Sequence, residues 1–168
     1  MIDKPLKWTS FDVVNKIRYR IKKEFGIKKI KVGHAGTLDP LATGLLIICA
    51  GKKTKQINEF MGLPKTYTGT ITLGATTPSY DLETAVDQEF PTNHITDELI
   101  HQSTAQFEGD IMQRPPNFSA IKKGGVKAYD AARKGEDIKL EPRPVHISSF
   151  KITAIRRTEV DFEVNCSK

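Results

Sequence analysis

A single carboxylate, Asp39, stands in the stretch VGHAGTLDPLATGLL (residues 32–46), among glycines, threonines and a proline, with His34 five positions before it. The ordinary reading of an Asp-Pro pair is a turn, in which the Asp side chain accepts from nearby backbone N–H groups and Pro fixes the chain direction. An acid held on a rigid loop against a core segment can also serve as nucleophile or general base. Other chemistry is sparse. CAGKKT (49–54) fails as a phosphate-binding loop, because Leu46 stands where the leading Gly belongs and Lys53 where Ser or Thr is needed. GHAG (33–36) runs into Thr-Leu-Asp-Pro and does not join two helices as a KH-type loop would. His34, His94, His101 and His146 are scattered without metal-ligand spacing. No nucleophile elbow or Cys–His pairing is visible. What remains is the Asp39 loop, aromatics such as Tyr67 on strand-like segments, and many cations. That set suits work on a base taken out of its stack: an acid to attack, an aromatic to stack on the base, Lys and Arg to hold phosphates.

The charge distribution points the same way. The 168 residues carry a net charge of +6, unevenly spread. Residues 1–65 hold 14 Lys/Arg and 5 Asp/Glu, residues 66–112 hold 8 acids and no Lys/Arg, and residues 113–168 hold 12 Lys/Arg and 7 acids. Two basic blocks around an acidic one suit a polyanion-facing surface, although Lys-rich surfaces also serve solubility alone. The length fits one domain with a sizeable core. No apolar run reaches the length of a membrane span, and MIDKPLKWTS lacks the apolar stretch of a secretory signal. Cys49 and Cys166 lie far apart, which fits a reduced, cytoplasmic setting.

The elements that must position these groups can be read from periodicity. TSFDVVNKIRYRIKKEFG is expected to be a helix: Thr9 and Asp12 have capping-box spacing, Val14, Ile17 and Ile21 recur at helical intervals, and Gly26 is a stop. Its other face carries Lys16, Arg18, Arg20, Lys22 and Lys23. LLIICAG reads as a buried strand, KTKQINEFMG as a short helix ending at Gly62, and TTPSYDLETAV as a loop. KTYTGTITLG alternates, with Tyr67, Gly69, Ile71 and Leu73 on one face and threonines on the other, as in a half-buried antiparallel strand. TDELIHQSTAQFEG reads as a helix capped by Thr96. The Pro/Gly-rich basic segment after it holds a short helix around KAYDAARKG, and VHISSFKITAI and TEVDFEVNC read as strands. The last strand pattern is still running at Lys168, which gives the impression of a cut edge.

The stretch at 32–46 resembles the catalytic motif of the TruB family of pseudouridine synthases. The likeness continues in order: DKPLKWTSFDVVNKIR resembles the family's N-terminal motif, KTYTGTITLG its Lys-x-Tyr strand, RPPNFSAIKKGGVKAYDAARKG its substrate-gripping segment, and PRPVHI and VNCSK later landmarks. DPLATG is similar to the bacterial tRNA-modifying branch and not to the RNA-guided branch. The resemblance implies a mixed α+β fold around a largely antiparallel sheet flanked by helices. Residues 1–168 would be the N-terminal portion of a catalytic domain, with an RNA-gripping segment at about 113–143 and without a C-terminal RNA-binding appendage. It further implies a tRNA pseudouridine(55) synthase that isomerises the T-loop uridine by base flipping, without cofactor, metal, membrane or obligatory protein partner. Asp39 would be the catalytic carboxylate. Tyr67 would stack on the flipped base, His34 would help hold the flipped RNA, and Asp81 would lie beside the active site. Lys122, Lys123, Lys127 and Arg133 would contact the T-arm backbone. The family continues Gly-Thr-Tyr-Ile-Arg after Cys-Ser-Lys, and that Arg pairs with the catalytic Asp, so the chain ending at Lys168 is expected to be inactive alone. A catalytically silent tRNA-binding or tRNA-folding module on the same scaffold is the alternative from a different class.

Overall fold

The computed structural model describes residues 1–116, 118–119, 122–123, 126–128 and 140–167, and the chain divides into two compact units, Met1–Leu63 and Pro64–Lys168. The architecture is α+β with antiparallel strand pairing throughout the described ladders.

In the first unit, β1 (Ile2–Lys4) leads into α1 (Ser10–Phe25). The helix begins as its sequence dictates. The Thr9 hydroxyl accepts from the Asp12 amide at 3.1 Å, while the Asp12 carboxylate accepts from the Thr9 amide at 2.9 Å and the Thr9 hydroxyl at 2.6 Å. Those bonds hold the Asp12 carboxyl below its ordinary value. Gly26 ends the helix in the left-handed conformation, and Val13 and Val14 are buried. The apolar run expected to form one strand is two: β3 (Gly44–Leu46) pairs with β1, whereas β4 (Ile48–Ala50) pairs with β2 (Val32–His34). Ile47 breaks the run, its carbonyl accepting from the Ala35 amide at 2.9 Å. Nor is the run uniformly buried, since Leu46 and Cys49 are inside while Leu45 is exposed. A continuous apolar run reports burial on average and does not report which neighbour each residue pairs with. The short helix also differs in type. A 3₁₀ helix over Gly51–Gln56 precedes α2 (Ile57–Met61), with Gly62 at the end as expected.

The second unit is built on a four-stranded sheet. β5 (Lys65–Thr72) lies at one edge, followed in space by β12 (Glu159–Cys166), β11 (Arg143–Arg156) and β8 (Gly109–Gln113). β8 has no signal of its own in the sequence, because GDIMQ is too short and mixed to alternate. Its partner β11 supplies the register, from Arg143 opposite Gln113 to Ile147 opposite Gly109. α3 (Asp97–Ala105), capped by the Thr96 hydroxyl, packs on β11. Between α3 and the sheet, Ile100, Phe107, Phe150 and Val160 line an apolar cavity of about 460 Å³, with His94 among its lining residues. The TTPSYDLETAV loop connects a small hairpin of β6 (Ala75–Thr76) and β7 (Gln88–Glu89). Two further short strands, β9 (Lys122–Lys123) and β10 (Val126–Lys127), pair with each other. The helix expected around KAYDAARKG falls largely outside the described residues.

Candidate active site

Asp39 lies on the loop from 35 to 43, between β2 and β3, and its side chain is exposed. Few of the backbone groups around it are left to wander. Ala35 is tied to Ile47, and the Ala42 amide donates to the Asp39 carbonyl at 3.0 Å, the turn that an Asp-Pro pair favours. The loop bends through Gly36 (φ 105°) and Gly44 (φ 115°), conformations that a side chain would oppose. The N-terminal segment holds the loop from outside. The Lys7 amide donates to the Pro40 carbonyl at 2.7 Å. The Ser10 hydroxyl accepts from the Leu38 amide at 2.9 Å and donates to the Leu38 carbonyl at 3.1 Å. The residues on both sides of Asp39 are thereby anchored to Lys7 and Ser10, so the loop carries its carboxylate on a pinned backbone.

Lys4 supplies a buried charge on which Asp39 acts. It has no exposed surface, and its ammonium donates to the Trp8 carbonyl at 2.6 Å and the Pro5 carbonyl at 3.2 Å. Burial lowers its pKa, and the negative charge of Asp39 pushes back in the opposite direction. His34, half-buried on β2, uses Nδ1 to donate to the Gly36 carbonyl, which fixes the ring against the start of the loop. The loop therefore offers an exposed acid, a cation behind it and an imidazole at its root. Such a set can deliver a nucleophile or base to a ligand that arrives from solvent.

The remaining predicted residues lie in the second unit. Tyr67 is on edge strand β5, opposite Val164, and remains 39% exposed. Asp81 is exposed in the β6–β7 loop, where its Oδ1 accepts from the Ser79 hydroxyl at 2.6 Å and the Glu83 amide at 2.9 Å, so at least half of this carboxylate shapes its own turn. Lys122, Lys123 and Lys127 are placed on the paired strands β9 and β10 by their backbone, and Arg133 lies outside the described residues. Sequence reasoning did not single out Lys4 or Ser10. A buried lysine looks like a surface one in a basic block, and Ser10 is masked by Thr9, the stronger capping signal. No group of three or more His, Cys, Asp or Glu that could hold a metal occurs among the described residues, and no helix among them is long and apolar enough to cross a membrane.

Comparison with known proteins extends the same features along the chain. The family described as TruB family pseudouridylate synthase (N terminal domain) matches residues 22–168. The protein named tRNA pseudouridine synthase B from Flavobacterium johnsoniae is 60% identical over all of this chain and 74% of its own length. Its namesake from Phocaeicola vulgatus is 56% identical over 99% of this chain and 71% of its own length. Among solved structures, a chain in the crystal structure of a Cbf5–Nop10–Gar1 complex is similar with a TM-score of 0.66 and 26% identity, covering 98% of this chain and 37% of that one. This chain thus spans about three quarters of those two curated relatives and little more than a third of the solved chain. The match runs through the Asp39 loop, the β5 strand and the β11–β12 sheet alike, and the chain belongs to the TruB family of pseudouridylate synthases.

Proposed function

We propose that the protein isomerises uridine 55 in the T-loop of tRNA to pseudouridine, with Asp39 as the catalytic carboxylate. The observation that carries this reading is the exposed Asp39 on a backbone-pinned loop, in a chain whose relatives are named tRNA pseudouridine synthase B. The target base must leave its stack for any side chain to reach its glycosidic bond. Asp39 attacks the flipped nucleotide, the C1′–N1 bond breaks, the uracil turns and a C1′–C5 bond forms; the C5 proton leaves, N1 takes one up, and the bond to Asp39 is broken to free the product. Reactant and product have the same atoms, so the reaction itself consumes no redox partner or nucleotide. Tyr67 offers a partly exposed ring for stacking, and His34 helps retain the flipped RNA. Asp81 serves as a further acid for the substrate in this reading, and Lys122, Lys123, Lys127 and Arg133 hold the T-arm backbone. Cytoplasmic tRNA is the substrate pool this reading implies.

The test is Asp39→Asn in the full-length protein, assayed for pseudouridine formation in T-arm RNA. Turnover is expected to vanish while RNA affinity changes little, because phosphate contacts supply most of the binding. Normal turnover by this variant would remove Asp39 from its role.

A further inference from the structure

We infer that Ser10 is a positioning residue for Asp39, acting through the Leu38 backbone. The inference rests on the reading of Asp39 as the catalytic carboxylate. Ser10 is the first residue of α1 and is only 3% exposed. A serine at this place could be spent on capping, but Thr9 already caps the helix, which leaves the Ser10 hydroxyl for another task. It spends its donor and one lone pair on a single residue 28 positions away, at 3.1 Å to the Leu38 carbonyl and 2.9 Å from the Leu38 amide. The Leu38 carbonyl belongs to the peptide bond whose nitrogen is that of Asp39. Holding it fixes the plane of that bond and the N–Cα bond of Asp39, so that, with the Pro40 carbonyl held on the other side, the backbone from which the carboxylate projects is bracketed.

The second anchor lies two residues on, where the Lys7 amide holds the Pro40 carbonyl at 2.7 Å, with Lys7 itself at φ 66°. Two anchors from one short segment bracket one carboxylate. Of the two, only the Ser10 anchor is made by a side chain, so it can be removed without disturbing the donor backbone. A nucleophile attacking a base held by separate contacts depends steeply on placement, and a misplacement of about 1 Å can cost on the order of a hundredfold in rate. Substrate affinity, carried by dispersed phosphate contacts, has no such dependence on the Asp39 rotamer.

The experiment compares wild type, Ser10→Ala, Ser10→Thr and Asp39→Asn in the full-length protein, at a temperature well below each melting midpoint. Ser10→Ala is expected to lower kcat by about ten- to a hundredfold with KM nearly unchanged, and to speed hydrogen exchange of the Leu38 amide. Ser10→Thr keeps the hydroxyl and should recover most of kcat and of the amide protection. Unchanged kcat in Ser10→Ala, beside an inactive Asp39→Asn, would overturn the positioning role and leave the catalytic assignment standing. An active Asp39→Asn would overturn the catalytic assignment itself. Should Ser10→Ala not fold, Ser10→Thr decides: wild-type Leu38 protection with kcat still down by about a hundredfold would overturn the inference.

Discussion

Lys4, with no exposed surface, is coupled charge to charge with the exposed carboxylate of Asp39. Burial pulls the Lys4 pKa down and Asp39 pulls it up, with burial the larger effect. Removing the carboxylate charge should therefore lower the Lys4 pKa further. The measurement is the pH titration of the Lys4 side-chain carbon resonances in wild type and Asp39→Asn. An identical titration in the two would show that the charges do not communicate. The linkage has a defined sign. Because the folded-state pKa lies below the ordinary lysine value of about 10.4, the unfolded chain binds more protons between those two values, and stability from this group rises with pH across that window. Denaturant unfolding should show wild type gaining on Lys4→Met as pH climbs through it.

The second unit offers a packing test. Gly69 and Phe162 face each other across β5 and β12, and a Cβ built on Gly69 would lie 2.9 Å from the Phe162 ring. The ring cannot easily retreat, because it packs edge-on against Phe150 at 5.6 Å, and Phe150 packs against Phe107 at 6.1 Å. Two effects oppose one another in Gly69→Ala. Losing a strand glycine gains about 0.5–1 kcal/mol, and overpacking costs about 1–3 kcal/mol. The clash should win, lowering stability by about 1 kcal/mol. With Phe162→Leu in place, the same Gly69→Ala change should become neutral or stabilising. A double-mutant cycle by urea unfolding checks this, and purely additive effects would place the ring elsewhere.

Arg156 closes the β11–β12 turn by a two-pronged bond to Asp161, Nη1 to Oδ2 at 2.6 Å and Nη2 to Oδ1 at 2.8 Å. The Arg156 bonds, followed by the Thr70 hydroxyl at 2.7 Å, hold the Asp161 carboxyl below its ordinary value. The stability this confers is present above the unfolded carboxyl value of about 3.9 and is lost as pH falls through the lowered one. Comparison of wild type with Asp161→Asn at about pH 6 and about pH 2 should show a gap that closes in acid. Because both partners are partly exposed, the gap should also shrink in high salt.

Local rules make much of this fold legible in advance. The Thr9–Asp12 box, Gly26 and the Thr96 cap each depend on neighbours within a few residues, and each is met in the structure; β5 and β12 form as antiparallel strands, but burial does not alternate along them, and Tyr67 and Ile71 on the expected inner face of edge strand β5 are exposed. The apolar run at 45–51 divides because two strands compete for it, which no window of seven residues can contain. β8 exists because β11 is long enough to pair beyond β12, again a distant cause. In the candidate site, Asp39 stands out by being the one acid in its loop. Ser10 and Lys4 do not, since what distinguishes them is a bond across 28 positions and complete burial, and composition records neither.

The basic face of α1 separates cations that can meet a polyanion from one already engaged. Lys16, Arg20, Lys22 and Lys23 are exposed, whereas Arg18 donates to the Val32 carbonyl at 3.2 Å and Asn15 at 3.0 Å and lies over the Phe11 ring at 5.9 Å. Arg18 therefore braces β2, at whose other end stands His34. Replacing Lys16, Lys22 and Lys23 together by Gln should weaken T-arm RNA binding and flatten its salt dependence. The log–log slope should fall by about 0.7–0.9 for each phosphate that is no longer neutralised, with little change in melting temperature or in turnover at saturating RNA. Arg18→Gln should do the opposite, lowering the melting temperature with a smaller change in salt slope, because this side chain braces a strand and does not reach for a phosphate. Fluorescence anisotropy with T-arm RNA across a salt series, beside thermal melts of the same samples, distinguishes the two. A triple variant with the wild-type slope would place the RNA on another face of the protein.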